Sequence, residues 1–242
     1  GRIARCVALS LPFVRTHNPT ASTALNRKQH PQAHVVIGNM TEEKSEYTLY
    51  YWTACKSFWG RAIGIVLTLD TAGVKYAMKP PTEKPKGIGF AVPLLTLPSG
   101  QSMSQTPAIL DVLAEKHGLG GKTTEEKIAC KQCVLDINDI FGEVITGKFK
   151  EKPERADQWF AFLDSKLAKT KFLVSDSPTV ADFHGVFAFA WVEHKYGTAA
   201  TVNGENSKKE KKFQNLARWW ADLKKEPAVK KMLESEVPLL PK

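Results

Sequence analysis

The segment AVPLLTLPSGQSMSQTPAIL, residues 91–110, decides how this chain is read. Val92–Leu97 has the apolar run of a strand, yet Pro93 removes an N–H that an ordinary central strand would use. Pro98-Ser99-Gly100 is a tight turn into a second short strand, Gln101–Ser104. Gln105-Thr106-Pro107 then leads into a helix predicted over Pro107–His117. Thr is an N-cap residue type, Pro is favoured at the first helical position, and Gly118 supplies the stop.

Upstream, EYTLYYW (46–52) is β-branched and aromatic, the composition of a strand. Apolar residues at 58, 59, 62, 63, 66 and 69 follow helical spacing, and Gly73 closes a helix predicted over Phe58–Leu69. VKYAM (74–78) is a further strand. The crossing segment KPPTEKPKGIG (79–89) is too polar and too broken by proline for a full helix. The resulting order, βαβ then ββ then α, predicts a mixed sheet.

From Thr123 onward the period is helical throughout. Helices are predicted over Thr123–Phe149, Pro153–Lys169, Thr179–Tyr196, Phe213–Leu223 and Ala228–Met232. The third, VADFHGVFAFAWV, is apolar on nearly all sides and therefore central and buried. Thr179 and Asp182 stand in capping-box spacing. The expectation is that the hydroxyl takes the N–H three residues on and the carboxylate reaches back, worth about 1 kcal/mol. The predicted organisation is a basic arm over residues 1–45, an α/β domain over 46–120 and an all-helical domain over 121–242.

Bulk properties narrow the function classes. No apolar run approaches the ~18–20 residues of a membrane span, so no transmembrane segment is expected. The net charge is +9, but residues 1–41 contain no acid and carry five of those charges on Arg2, Arg5, Arg15, Arg27 and Lys28. The excess thus describes an arm rather than a nucleic-acid-binding face. The lysines around Glu210 lack interleaved aromatics and read as a solvated loop. Cys130-x-x-Cys133 has no second pair and simply shares a helix face, so neither metal nor disulfide framework is expected. The acid-free arm has the composition of a targeting segment, which favours a mitochondrion or plastid over the cytoplasm. An arm of this composition would need its own body or a larger assembly to hold it.

Taken together, Val92-Pro93 before the third strand, Gln105-Thr106 opening the next helix, and PTVADF opening a buried helix resemble the glutathione S-transferase family over roughly Glu46–Leu233. YTLYYW followed by WGRA, together with AILDVLAEKHGLGGKTTEEK, is most similar to its sigma-like group. The resemblance implies a thioredoxin-like domain followed by an all-helical domain. It implies glutathione as substrate, a small electrophile as second substrate, no metal, and a two-fold homodimer.

The same resemblance assigns roles. Pro93 would follow a cis bond that presents the backbone of Val92 to glutathione as an added strand. Gln105, Thr106 and the helix N-terminus would hold the γ-glutamyl carboxylate. Thiol activation has three candidates: Tyr51, reinforced by Arg61, or alternatively Cys55 or Ser57 at the start of the helix, where a helix N-terminus lowers a thiol's pKa. Lys84 or Lys86 would stand in for the cation at the glycine end, and Asp136 for the acid reaching across a dimer. The longer turn TACKSFW and the crossing segment without Trp depart from the family pattern. Those departures, with the basic arm, leave a second reading: a non-catalytic subunit of a larger assembly built on this fold.

Overall fold

A computed structural model of the chain describes residues 46–196 and 212–241. The predicted arm over residues 1–45, and Lys208, Lys209 and Lys211 of the basic loop, lie outside the described residues. β1 (Tyr47–Tyr50), α1 (Ile63–Thr71), β2 (Tyr76–Lys79), β3 (Leu94–Thr96), β4 (Ser102–Ser104) and α2 (Thr106–His117) follow in the predicted order. The sheet runs β2-β1-β3-β4. β1 pairs parallel with β2, Tyr47 opposite Tyr76, and antiparallel with β3, Leu49 opposite Leu95; β4 closes the hairpin on β3. The mixed sheet expected from the sequence is present. Gly100, at φ +85°, makes the turn that brings the Gln101 carbonyl to the Leu97 N–H at 2.8 Å.

Boundaries differ in two places that matter. The strand predicted over 46–52 ends at Tyr50, and Trp52–Cys55 coil into a 3₁₀ turn closed by Lys56 at φ 54°. The helix predicted from Phe58 begins only at Ile63, after a 3₁₀ turn over Gly60–Ala62. Gly60 has φ +46°, which no right-handed helix accommodates. The crossing segment forms one 3₁₀ turn at Pro81–Glu83 and no longer helix, as its prolines required.

The helical layer consists of α3 (Thr124–Ile145), α4 (Lys148–Glu151), α5 (Glu154–Leu167), α6 (Val180–Tyr196), α7 (Gln214–Leu223) and α8 (Pro227–Leu233). Gly147, at φ +82°, divides the single helix predicted over Thr123–Phe149 into α3 and α4. α3 starts with a capping box that sequence reading overlooked: Glu126 N–H donates to the Thr123 hydroxyl and Thr123 N–H to the Glu126 carboxylate, both at 3.2 Å.

α6 is the central element, buried continuously from Val180 to Phe189. It packs between α3 and α1, and the approach to α1 is close: a Cβ on Gly64 would stand 3.2 Å from the His184 Cα. Its N-terminus corrects the predicted cap in part. The Asp182 carboxylate reaches back to Thr179 N–H (2.8 Å) as expected, but the Thr179 hydroxyl donates to that carboxylate (2.9 Å) instead of accepting a backbone N–H. The other carboxylate oxygen accepts Leu173 N–H (2.9 Å) and the Trp219 indole N–H (2.8 Å). Burial pushes the Asp182 carboxyl up from the ordinary range, while these donors pull it down.

A completely buried carboxylate with four donors is more than a helix cap. Asp182→Ala is expected to cost about 3–5 kcal/mol, well above a surface cap, because the donors remain buried without a partner. Urea unfolding of the two proteins measures the difference.

Candidate functional site

The site is built where β1 ends. Tyr51 is the first residue past the strand, still tied to the sheet by its N–H on the Lys79 carbonyl at 3.0 Å. Its ring is buried edge-on to Phe58, with centroids 6.0 Å apart. The hydroxyl oxygen accepts the Arg61 backbone N–H at 2.9 Å. A Cβ at position 60 would fall 2.6 Å from that hydroxyl, so glycine there leaves the room the phenol occupies. No acceptor for the Tyr51 proton lies among the described residues. Burial raises the phenol above its ordinary pKa, while the Arg61 N–H and guanidinium charge work against that rise.

Arg61 links the two layers. Its guanidinium carbon lies 4.3 Å from the centroid of the Phe141 ring on α3, a cation–π contact. Phe141 in turn packs on Phe187 (4.7 Å) and Trp191 (5.7 Å) of α6. Behind Arg61 sits His184, wholly buried, stacked on Phe187 at 5.6 Å, with no hydrogen-bond partner for either ring nitrogen among the described residues. Burial, helped by the Arg61 charge, lowers its pKa to about 3.

The peptide-binding half of the predicted clamp is formed by backbone. The Val92–Pro93 bond is cis, and neither the N–H nor the C=O of Val92 has a partner among the described residues. Gln105 precedes α2 at φ 74° and is exposed; Thr106 is the first helical residue rather than the cap. Its hydroxyl is buried and turned to the Arg61 carbonyl at 3.5 Å, so it braces the turn instead of offering itself to a ligand. The N–H groups of Thr106 and Ala108 remain without partners among the described residues.

Other predicted residues stand apart from this group. Cys55 is exposed at the close of the first 3₁₀ turn, and Ser57 is exposed two residues on; α1 begins at Ile63, so neither occupies a helix N-terminus. The Lys84 ammonium is held by the Gly89 carbonyl at 3.2 Å, and Lys86 is exposed on the crossing segment. Gln105 and Asp111 border a groove of about 770 Å³ between α2 and α3. Asp136 faces a different groove, with Arg155 and Trp159 of α5, and one of its carboxylate oxygens is buried without a partner among the described residues; burial raises its pKa. The paired cysteines of α3 are buried, and burial pushes the Cys133 thiol up to about 11. Among the described residues no group of three or more His, Cys, Asp or Glu gathers to hold a metal ion, and no helix is long and apolar enough to cross a membrane.

With this geometry in place, comparison with known proteins is informative. The glutathione S-transferase C-terminal domain profile matches residues 146–227. A Dictyostelium discoideum protein named as glutathione S-transferase alpha-5 is 27% identical over 141 residues, 54% of this chain and 66% of that protein. The chain thus spans just under two thirds of that relative. The alpha-2 protein of the same organism is 28% identical over 171 residues, covering 67% of this chain and 85% of its own length. Among solved structures, NaGST-2 superposes with a TM-score of 0.61 at 26% identity, covering 79% of this chain and 97% of that one. The glutathione S-transferase from Ascaris lumbricoides gives 0.64 at 22% identity over 81% and 100%, a likeness of fold.

His184 gives the site a measurable pH signature. Its pKa of about 3 in the fold lies below the ordinary 6.5, so its contribution to stability is complete above pH 6.5 and lost as pH falls toward 3. Unfolding free energy should drop by about 1.4 kcal/mol per pH unit in that window from this group alone. His184→Leu should remove that slope; equal slopes in the two proteins would refute it.

Proposed function

Because the chain belongs to the glutathione S-transferase family, we propose that it binds glutathione and transfers the thiol to a small electrophile. The observation that carries the reading is the Tyr51 hydroxyl, which accepts the Arg61 N–H and keeps its own proton uncommitted among the described residues. That proton donates to the glutathione sulfur, and the Arg61 guanidinium adds positive charge beside it. Both favour the thiolate, whose proton leaves to solvent. The sulfur then attacks the electrophile, forming a C–S bond as the electron pair passes to the leaving group or the acceptor carbon chain.

Glutathione itself would lie as an extended strand on the Val92 backbone, its γ-glutamyl carboxylate against Gln105 and the N–H groups opening α2. Of the two lysines expected at the glycine carboxylate, Lys86 is exposed on the crossing segment and Lys84 is held by the Gly89 carbonyl. That thin anchor favours the second reading, a non-catalytic subunit of a larger assembly. Such a subunit would dock through the basic arm in an organelle.

The functional protein is proposed to be a two-fold homodimer. Ile128 and Leu135, 63% and 55% exposed on α3, stand on the groove between α2 and α3 and would be covered by a second copy. Asp136 would then approach the partner's glutathione only if the second copy reaches around α3 to its α5 side.

Tyr51→Phe should lower kcat for conjugation by at least about tenfold while the protein is still retained on glutathione-agarose. Cys55→Ala should leave turnover unchanged, and the reverse pattern would move the chemistry to a mixed disulfide at Cys55. Wild-type protein that neither binds the resin nor turns over would leave the assembly reading. In sedimentation, Ile128→Asp combined with Leu135→Asp should convert a dimer to monomers; a wild-type monomer would contradict the dimer.

A further inference from the structure

Three consecutive amides lead from the Tyr51 turn into α1, and they have different partners. Trp59 N–H donates to the Pro238 carbonyl at 2.9 Å, Gly60 N–H to the Leu239 carbonyl at 2.7 Å, and Arg61 N–H to the Tyr51 hydroxyl at 2.9 Å. The first two partners come from the far end of the chain. We propose that the C-terminal strap, Ser235–Leu240, is a positioning element of the Tyr51 site, fixing the turn that presents the Arg61 N–H to the phenol. The proposal deepens the function assigned to Tyr51 and rests on that reading for its catalytic consequence.

The strap is anchored at both ends. α8 buries Val229 and Met232, and the Lys231 ammonium lies 3.1 Å from Asp70 near the end of α1. From there the chain returns along α1, about 13 Å for a nine-residue helix, to the turn at its start. Val237 N–H on the Ser235 hydroxyl (3.2 Å) shapes the return, and Leu240 sinks into the core with 7% exposure.

The turn needs this help for a physical reason. Gly60 is buried and outside right-handed helical space, so its N–H and that of Trp59 have no helical acceptor. A buried N–H left without an acceptor destabilises the conformation that holds it. Without the strap those two amides would seek other partners, and rotating their peptide planes would carry the third amide off the phenol. Segments outside helices and strands, as Ser235–Leu240 is, dock and release in local opening reactions. Docking of the strap is therefore coupled to assembly of the Tyr51 hydrogen bond.

The test uses the full chain labelled with 3-fluorotyrosine, with the Tyr51 fluorine resonance assigned by its loss in Tyr51→Phe. Leu240→Ala loosens the strap, Leu240→Ile keeps the apolar anchor, and deletion of residues 238–242 removes the carbonyls. Leu240→Ala and the deletion should shift the Tyr51 resonance and lower kcat about fivefold, the loss of one hydrogen bond, with KM for glutathione unchanged. Leu240→Ile should restore both. If the deletion does not fold, the pair Leu240→Ala and Leu240→Ile decides. A folded Leu240→Ala protein with the wild-type Tyr51 resonance overturns the strap even if the wild type is active. A shifted resonance in a protein whose wild type has no turnover upholds the strap and refutes the assignment of function.

Discussion

The Asp182 carboxylate is the point on which the rest of the architecture hangs. One buried group accepts hydrogen bonds from Thr179, from Leu173 in the loop before it, and from Trp219 on α7. It therefore fixes where α6 starts, how the preceding loop approaches, and which way α7 lies across it. A buried carboxyl group is retained only where its lone pairs are so fully used. Gly185 makes the arrangement possible, because a Cβ there would stand 2.9 Å from the Trp219 ring. With α6 fixed, the close contact between Gly64 and His184 sets the position of α1. α1 in turn follows the turn that holds Arg61 against Tyr51.

Much of this order was legible in the sequence, and the failures were instructive. Pro93, the Pro98-Ser99-Gly100 turn and the all-round apolar α6 depend on local chemistry, so their reading survived into three dimensions. The carboxylate at 182 was recognised as a local cap, yet Leu173 and Trp219 could not be assigned to it. Their contacts span 9 and 37 positions, and no periodicity records them. The start of α1 was misplaced for a similar reason. Phe58 and Trp59 fit the helical period, but the N–H groups of Trp59 and Gly60 answer to the carbonyls of Pro238 and Leu239, far along the chain. Thr123-x-x-Glu126 was a signal of the right kind that passed unused.

The site divides in the same way. Of its backbone elements, the cis bond before Pro93 was an expectation of the family resemblance, and the start of α2 was readable because Pro107 marks a first helical turn. Thr106 was expected to face a ligand, and its hydroxyl instead supports the Arg61 carbonyl. The phenol of Tyr51 was one of three candidates. What separates it from Cys55 and Ser57 is burial and a specific amide partner, neither of which composition reveals. Lys84 and Lys86 were equivalent in sequence, and the Gly89 carbonyl distinguishes them.

The crossing of α1 over α6 has a consequence for how this protein can change. Position 64 has no room for a side chain while the backbone at His184 stays where it is. The sheet layer and the helical layer are thus not exchangeable modules. A graft of the first layer from a relative with a larger residue at 64 would push the second aside. A side chain at 64 is accommodated only where the backbone at His184 gives by a few tenths of an ångström, so the two layers move together there.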